Sequence, residues 1–279
     1  MAILCFPLLV GCGALGAFNA FVPQDAGVTV ALRGEAYGPE PRQTLDVFVP
    51  PEGTGSGDVV IFVYGGSWNS GRRQDYTFVG RAFAARGFVT VLFDYRLVPE
   101  ARYPEFVQDG AKAVAWTRRN IQRFGGDPRK LHLVGHSAGA YIAMMVALAP
   151  EFLDAEGLSP AVLDSAVGLS GPYDFLPLDV PETQEAFKGV ENLPRTQPVN
   201  RVRPRAPTPS ILLVHGEADR FVLPRNSAAL AAALREAGHR VEERTYAGVD
   251  HRGTLLSLAK PFRDDAPVLR DVAAFLLRQ

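Results

Sequence analysis

Short, unbroken apolar runs recur along the chain, and stretches rich in alanine and leucine separate them. The runs are Val59–Tyr64, Phe88–Phe93, Leu131–Val134, Ala166–Leu169 and Ile211–His215. Their brevity and continuity suit strands covered on both faces. Thr44–Val49 differs, because its apolar and polar positions alternate as in a half-buried strand. Between the runs, Tyr76–Arg86, Phe106–Phe124, Ala138–Ala149, Asn226–Ala237 and Ala266–Leu277 have helical spacing. Alternation of this kind predicts a mostly parallel sheet with helices on both faces, an α/β fold. The proline-rich segment Pro172–Pro209 falls between two predicted strands, so it reads as an excursion rather than a boundary. Residues 23–279 are therefore predicted to form a single domain.

Residues 1–22 carry no charged side chain and read as the apolar core of an exported segment. A helix docked on the body is the alternative. The stretch Leu9-Val10-Gly11-Cys12 resembles a bacterial lipobox, which implies a lipid anchor at Cys12, although no Lys or Arg precedes it. Nothing later is long and apolar enough to span a bilayer. Composition narrows the picture further. An apolar content of 47% with 21% charged residues fits a folded globular protein. A net charge of −1 leaves no electrostatic footprint for nucleic acid. Cys5 and Cys12 both lie in the first dozen residues, which excludes a disulfide framework or a cysteine metal site in the body. There is no metal-ligand cluster and no dinucleotide fingerprint, so no cofactor is implied.

The sequence Gly135-His136-Ser137-Ala138-Gly139 joins a predicted strand to a predicted helix. A serine in so tight a turn is forced into a strained backbone, and glycines on either side relieve the crowding. Ser137 also begins a helix, where free N–H groups favour negative charge. A serine hydroxyl is a weak nucleophile unless a base takes its proton and a third group orients that base. Of the five histidines, His132 alternates within a strand, His136 is the variable position of the turn, and His239 sits in a polar helix exit. His215 ends an apolar strand and is expected to brace the loop after it. His251, in Tyr-Ala-Gly-Val-Asp-His-Arg-Gly, is placed for a general base. Asp219, just past the strand Ile211–His215, is the expected acid, with Asp250 and Glu217 as weaker rivals. The order Ser137, Asp219, His251 is that of serine hydrolases built on an elbow of this type. The turn Gly65-Gly66-Ser67-Trp68, which follows the strand ending at Tyr64, lets backbone N–H groups approach a substrate oxygen, joined by that of Ala138.

Together these motifs resemble a serine carboxylesterase of the α/β-hydrolase superfamily, from about Thr44 to the C-terminus. Tyr64-Gly65-Gly66-Ser67-Trp68 is similar to the His-Gly-Gly-x motif of esterases and lipases, with Tyr64 for the usual His and Ser67 for a third Gly. Asp94-Tyr95-Arg96-Leu97-Val98-Pro99-Glu100 is similar to the stretch downstream of it. The resemblance implies an α/β-hydrolase fold with a small or absent cap and hydrolysis of short-chain acyl esters through an acyl-enzyme. It also implies an oxyanion hole from Gly66, Ser67 and Ala138. Its partner would be a small-molecule ester, with no metal. An arylformamidase acting on an N-formyl amide, or a non-catalytic binding protein on the same fold, are the alternatives. Asp94, Arg96 and Glu100 are expected to form an ion-pair brace beneath the site. Trp116 is expected in the core, and Trp68 and Tyr173 are expected to wall the substrate pocket.

Overall fold

A computed structural model describes residues 12–279. Among these, eight strands form one sheet: β1 (Thr29–Ala36), β2 (Thr44–Val49), β3 (Val59–Val63), β4 (Val89–Phe93), β5 (Leu131–His136), β6 (Leu163–Leu169), β7 (Ser210–Gly216) and β8 (Val241–Tyr246). The helices are α1 (Cys12–Phe21), α2 (Thr77–Ala84), α3 (Glu105–Asn120), α4 (Ala138–Leu148), α5 (Pro150–Asp154), α6 (Pro181–Ala186), α7 (Arg225–Glu236), α8 (Gly253–Leu256) and α9 (Val268–Leu276). The strand order is β1-β2-β4-β3-β5-β6-β7-β8. The pairs β1–β2 and β2–β4 are antiparallel, and all others are parallel.

The central strands are those the apolar runs predict, because a strand with helices over both faces needs apolar side chains on both. Every residue of β3, β4 and β5 is buried. Helix α4 runs down the middle with all eleven residues buried, so an apolar stripe is replaced by an apolar cylinder. The expected half-burial of β2 is not what the fold delivers. Its centre is buried throughout, Asp46 included. Helix α2 lies so close that a Cβ at Gly80 would stand 2.8 Å from the Phe48 ring. Strand β6 begins three residues before the predicted run, because Ser165 is a buried polar residue satisfied by His132 Nδ1 at 2.9 Å. Strands β1 and β8 carry no apolar run at all. They are the sheet's edges, and exposed polar residues such as Arg33 and Arg244 occupy them, as edges that must not recruit another chain require.

The lipobox-like stretch lies outside the described residues except for Cys12. From there α1 packs on the body. Phe18 meets Phe78 edge-on at 5.4 Å. Asn19 accepts from the Phe78 N–H and donates to the Gln74 carbonyl, both at 2.9 Å. That amide serves an N-terminal donor of α2, whose own N-cap residue makes no side-chain hydrogen bond.

Beneath the turn after β3 lies a buried polar cluster. The Asp94 carboxylate accepts from the Tyr64 hydroxyl at 2.8 Å, from the Arg73 N–H at 2.6 Å and from the Arg73 guanidinium. Arg73 also reaches Asp46 at 2.9 Å. Arg96 pairs instead with Asp109 at 2.8 Å. Glu100 is exposed and outside the brace, because the chain has already turned to the surface there. Tyr64 is thus a strut. Burial, and then the neighbouring Asp94 charge, hold its hydroxyl well above the usual phenol range. Trp116, in α3, is buried as expected.

Candidate active site

Ser137 ends β5 and begins α4 at φ 54° and ψ −123°, a region L-residues rarely occupy. The strain is held by close packing on both sides. A Cβ at Gly135 would lie 2.3 Å from the Gly139 carbonyl oxygen, and one at Gly139 would lie 2.1 Å from that of Val63. No side chain fits either position. The Ser137 N–H donates to the Leu169 carbonyl at 2.9 Å, which pins the elbow to β6.

The loops after β7 and β8 bring two of the predicted residues to this serine. His251 Nε2 is 2.9 Å from Ser137 Oγ, and His251 Nδ1 is 2.8 Å from Asp219 Oδ2. The other Asp219 oxygen accepts from the Phe221 and Val222 N–H groups, each at 2.9 Å. Asp219 is only 2% exposed. Burial alone would raise its pKa, but hydrogen bonds from His215, His251 and Val222 outweigh that and hold it well below the usual carboxylate range. The rivals point elsewhere: Asp250 accepts from the Gly253 N–H at 2.8 Å, and Glu217 is exposed. His215 bonds Ser227 Oγ at 2.7 Å and the Val222 carbonyl at 2.8 Å, so it braces the loop that carries Asp219. His239 bonds the Arg203 carbonyl, remote from the site.

Gly66, Ser67 and Trp68 have φ of 121°, 48° and 59°. Their turn is closed by the Gly66 carbonyl, which accepts from the Asn69 and Ser70 N–H groups at 3.0 Å. The N–H groups of Gly66, Ser67 and Ala138 have no acceptor among the described residues. Ser67 and Ala138 line a cleft of about 450 Å³ together with Ser137 and Trp68. The Trp68 ring forms the back wall, held among Phe106, Tyr141, Phe175 and Phe187 at centroid distances of 5.3 to 6.2 Å. Tyr173 does not line the cleft and is fully buried. Asn226 Oδ1 accepts from the N–H groups of both Tyr173 and Asp174 at 2.9 Å. Tyr173 turns inward into space left by Gly168 and Gly171, and its neighbours Pro172 and Phe175 face the cleft instead. Leu176, Val180, Phe221 and Leu223 complete the rim. The apolar residues in Asp219-Arg220-Phe221-Val222-Leu223 were the visible signal for half of it. A second cavity of about 500 Å³, between Tyr103, Lys112, Glu151 and Arg195, includes none of these residues.

His136 has a part that its place in the turn does not reveal. Its Nε2–H donates to the His251 carbonyl at 3.0 Å, since a carbonyl only accepts. Nδ1 is then the bare nitrogen, buried without a partner among the described residues. Burial first, and then the nearness of His251, lower its pKa to about 3. An unfolded histidine takes its proton near pH 6.5, at about the ordinary value. Between those limits the unfolded chain binds a proton that the folded protein refuses. His136 therefore contributes stability that is complete above about pH 6.5 and lost as the pH falls towards 3, at up to roughly 1.4 kcal/mol per pH unit. Urea unfolding measured from pH 7 to pH 4.5 should show a shallower loss for His136→Gln than for the parent. Equal slopes for the two proteins would contradict a neutral, buried His136.

The profile of the BD-FAE family matches residues 45–234. A probable isoprenylcysteine alpha-carbonyl methylesterase of Arabidopsis thaliana is 30% identical over 97% of this chain and 67% of its own length. Esterase LipC of Mycobacterium tuberculosis is 34% identical over 68% of this chain and 51% of its own. The chain spans between 58% and 67% of the length of the plant relatives. Among solved structures, esterase B from Lactobacillus rhamnosis carrying a tributyrin phosphonate superposes with a TM-score of 0.81 at 18% identity, covering 95% of this chain and 90% of that one. A truncated carbohydrate esterase from gut microbiota gives 0.75 at 18% identity, covering 92% and 98%. At such identities the solved structures speak for the fold alone, which is that of the α/β-hydrolases. The family profile covers the sheet from β2 to α7, elbow included, and the chain belongs to the BD-FAE family of α/β-hydrolase esterases.

Proposed function

We propose that the chain is a serine carboxylesterase acting on short-chain acyl esters. The observation that carries this is the continuous relay from Asp219 through His251 to Ser137, with contacts of 2.8 and 2.9 Å, opening into a cleft. Ser137 Oγ attacks the ester carbonyl carbon while its proton passes to His251 Nε2. Asp219 fixes the imidazole with its other proton on Nδ1 and stabilises the imidazolium. The carbonyl oxygen, now negative, is met by the N–H groups of Gly66, Ser67 and Ala138. His251 returns the proton to the leaving alcohol, and water repeats the cycle on the acyl-enzyme. Trp68 and Phe175 bound the acyl side. The whole-protein activities of the longer relatives, including methyl ester hydrolysis by the plant proteins, fit the same machinery.

Ser137→Ala should lower kcat by roughly 10³ to 10⁶ with the fold intact, because binding and the oxyanion donors alone supply the residual rate. Turnover above a tenth of the parent's would refute the assignment. Circular dichroism of the variant guards against mere unfolding.

Acyl length is a second test. Each methylene buried contributes roughly 0.8 kcal/mol, about a fourfold gain in kcat/KM, until the aromatic back wall is reached. A series of p-nitrophenyl esters should therefore peak between acetyl and butyryl. A maximum at about ten carbons, or faster turnover of an N-formyl arylamide than of every ester, would remove the short-chain ester reading.

The proposal extends to an exported, lipid-anchored form. Cleavage just before Cys12 leaves the contacts of α1 with the body intact, whereas cleavage after residue 22 removes them. One acyl chain binds a bilayer only marginally, so anchoring there needs several. Expressed in a bacterial host, the full chain should sediment with membranes and Cys12→Ser should not. Recovery of both in the soluble fraction would exclude the anchor.

A further inference from the structure

Three of the five exposed large apolar side chains among the described residues, Val180, Phe221 and Leu223, line this one cleft; the others, Phe21 and Leu277, lie outside it. Such clustering is unusual for a solvated loop and marks a contact surface. Phe221 is the most exposed of the three at 71%. Its ring lies 5.0 Å from the His251 ring centroid. The cause is local: the Asp219 carboxylate that holds His251 also accepts from the Phe221 N–H. One oxygen orients the base and the other orients the residue beside it.

The chemistry says what passes that ring. To protonate the departing oxygen, His251 Nε2 must stand within hydrogen-bond reach of it. The alcohol half of the ester therefore leaves on the histidine side of Ser137, while the acyl half stays on the side of Trp68. The ring that the leaving group meets beside His251 is Phe221, and Leu223, Val180 and Leu176 line the same cleft. Arg220 and Arg225 are exposed charges at the margin, as are Asp179 and Glu182 opposite, so the apolar strip has a charged rim on both banks. A polyhydroxylated alcohol would leave its hydroxyls against apolar walls. An aryl-bearing alcohol would stack on the Phe221 ring beside His251.

Resting on the esterase reading, we propose that Phe221 and Leu223 form a leaving-group subsite selecting esters of aromatic, apolar alcohols. Benzyl butyrate and ethyl butyrate test it, since they share an acyl group and have leaving alcohols of similar basicity. The parent should favour the benzyl ester through KM, and Phe221→Ala should reduce the benzyl-to-ethyl ratio of kcat/KM by about tenfold, the scale of one aromatic pair. Phe221→Tyr, which keeps the ring, should retain the ratio. An unchanged ratio in Phe221→Ala overturns the subsite. So does an equal loss on both esters, which would make Phe221 a support for His251. Binding of benzyl butyrate to Ser137→Ala, followed by calorimetry, separates this from the reaction itself. Weaker binding when Phe221→Ala is added supports the subsite even if the parent turned over neither ester, a result that would sink only the proposed reaction. Equal binding with and without Phe221 would sink the subsite and leave the reaction untouched.

Discussion

The backbone of α4 enters the sheet with no room to spare. At Gly139 it lies against the carbonyl oxygens of Val63 and Tyr64, 2.1 and 2.5 Å from where a Cβ would stand. That approach brings the serine turn and the turn after β3 to the same point above the sheet. One strand end therefore supplies a strained serine, its neighbour supplies three residues with positive φ, and Ser67 and Ala138, one from each turn, line the same cleft. Neither turn has this geometry alone. The cluster of Asp94, Arg73 and Tyr64 acts on the same constraint from below, because it fixes the strand end against which the elbow is pressed. Breaking a buried pair of this kind typically costs about 3–5 kcal/mol, and the cost would fall on the placement of that turn as well as on stability.

On the opposite bank a single carboxylate organises the rest. Asp219 is acceptor to an imidazole on one oxygen and to two successive N–H groups on the other. Its charge is thus spread over an imidazole and a turn, and the His251 ring and the Phe221 backbone share one carboxylate. His136 adds a third tie, from the elbow strand to the His251 carbonyl. Because burial keeps it uncharged, it holds that loop without setting a second positive charge beside the His251 ring.

The interior of the fold was legible because burial on both faces leaves a simple trace, and β3, β4, β5 and β7 each appear within a residue or two of their apolar runs. The edges were not. β1 and β8 are polar for the physical reason that they are edges, and periodicity has nothing to register there. The Ser137, Asp219 and His251 positions were readable from turn chemistry and chain order. The direction in which Tyr173 points was not, since it depends on two glycines making room and on an amide from Asn226, fifty-three residues away. The hydrogen bond from His136 was equally hidden, because it joins positions 136 and 251. The exposed strip around Phe221 was spelled out in the sequence, but only a cleft gives it meaning.

The wholly buried α4 has a further consequence, in the order in which the chain is made. Residues 131–150 contain no Asp, Glu, Lys or Arg, and the helix within them has no face suited to water. Its shelter comes from both directions along the chain: β3 and α3 are synthesised before it, while β6 and the segment whose Thr196 carbonyl accepts from Tyr141 are synthesised after it. During N-to-C synthesis this stretch must therefore wait, half covered, for some fifty residues to follow. A region so apolar and so slow to be enclosed is where nascent chains stick to one another. The residues that shield the elbow's helix so fully in the finished protein leave it vulnerable in the unfinished one.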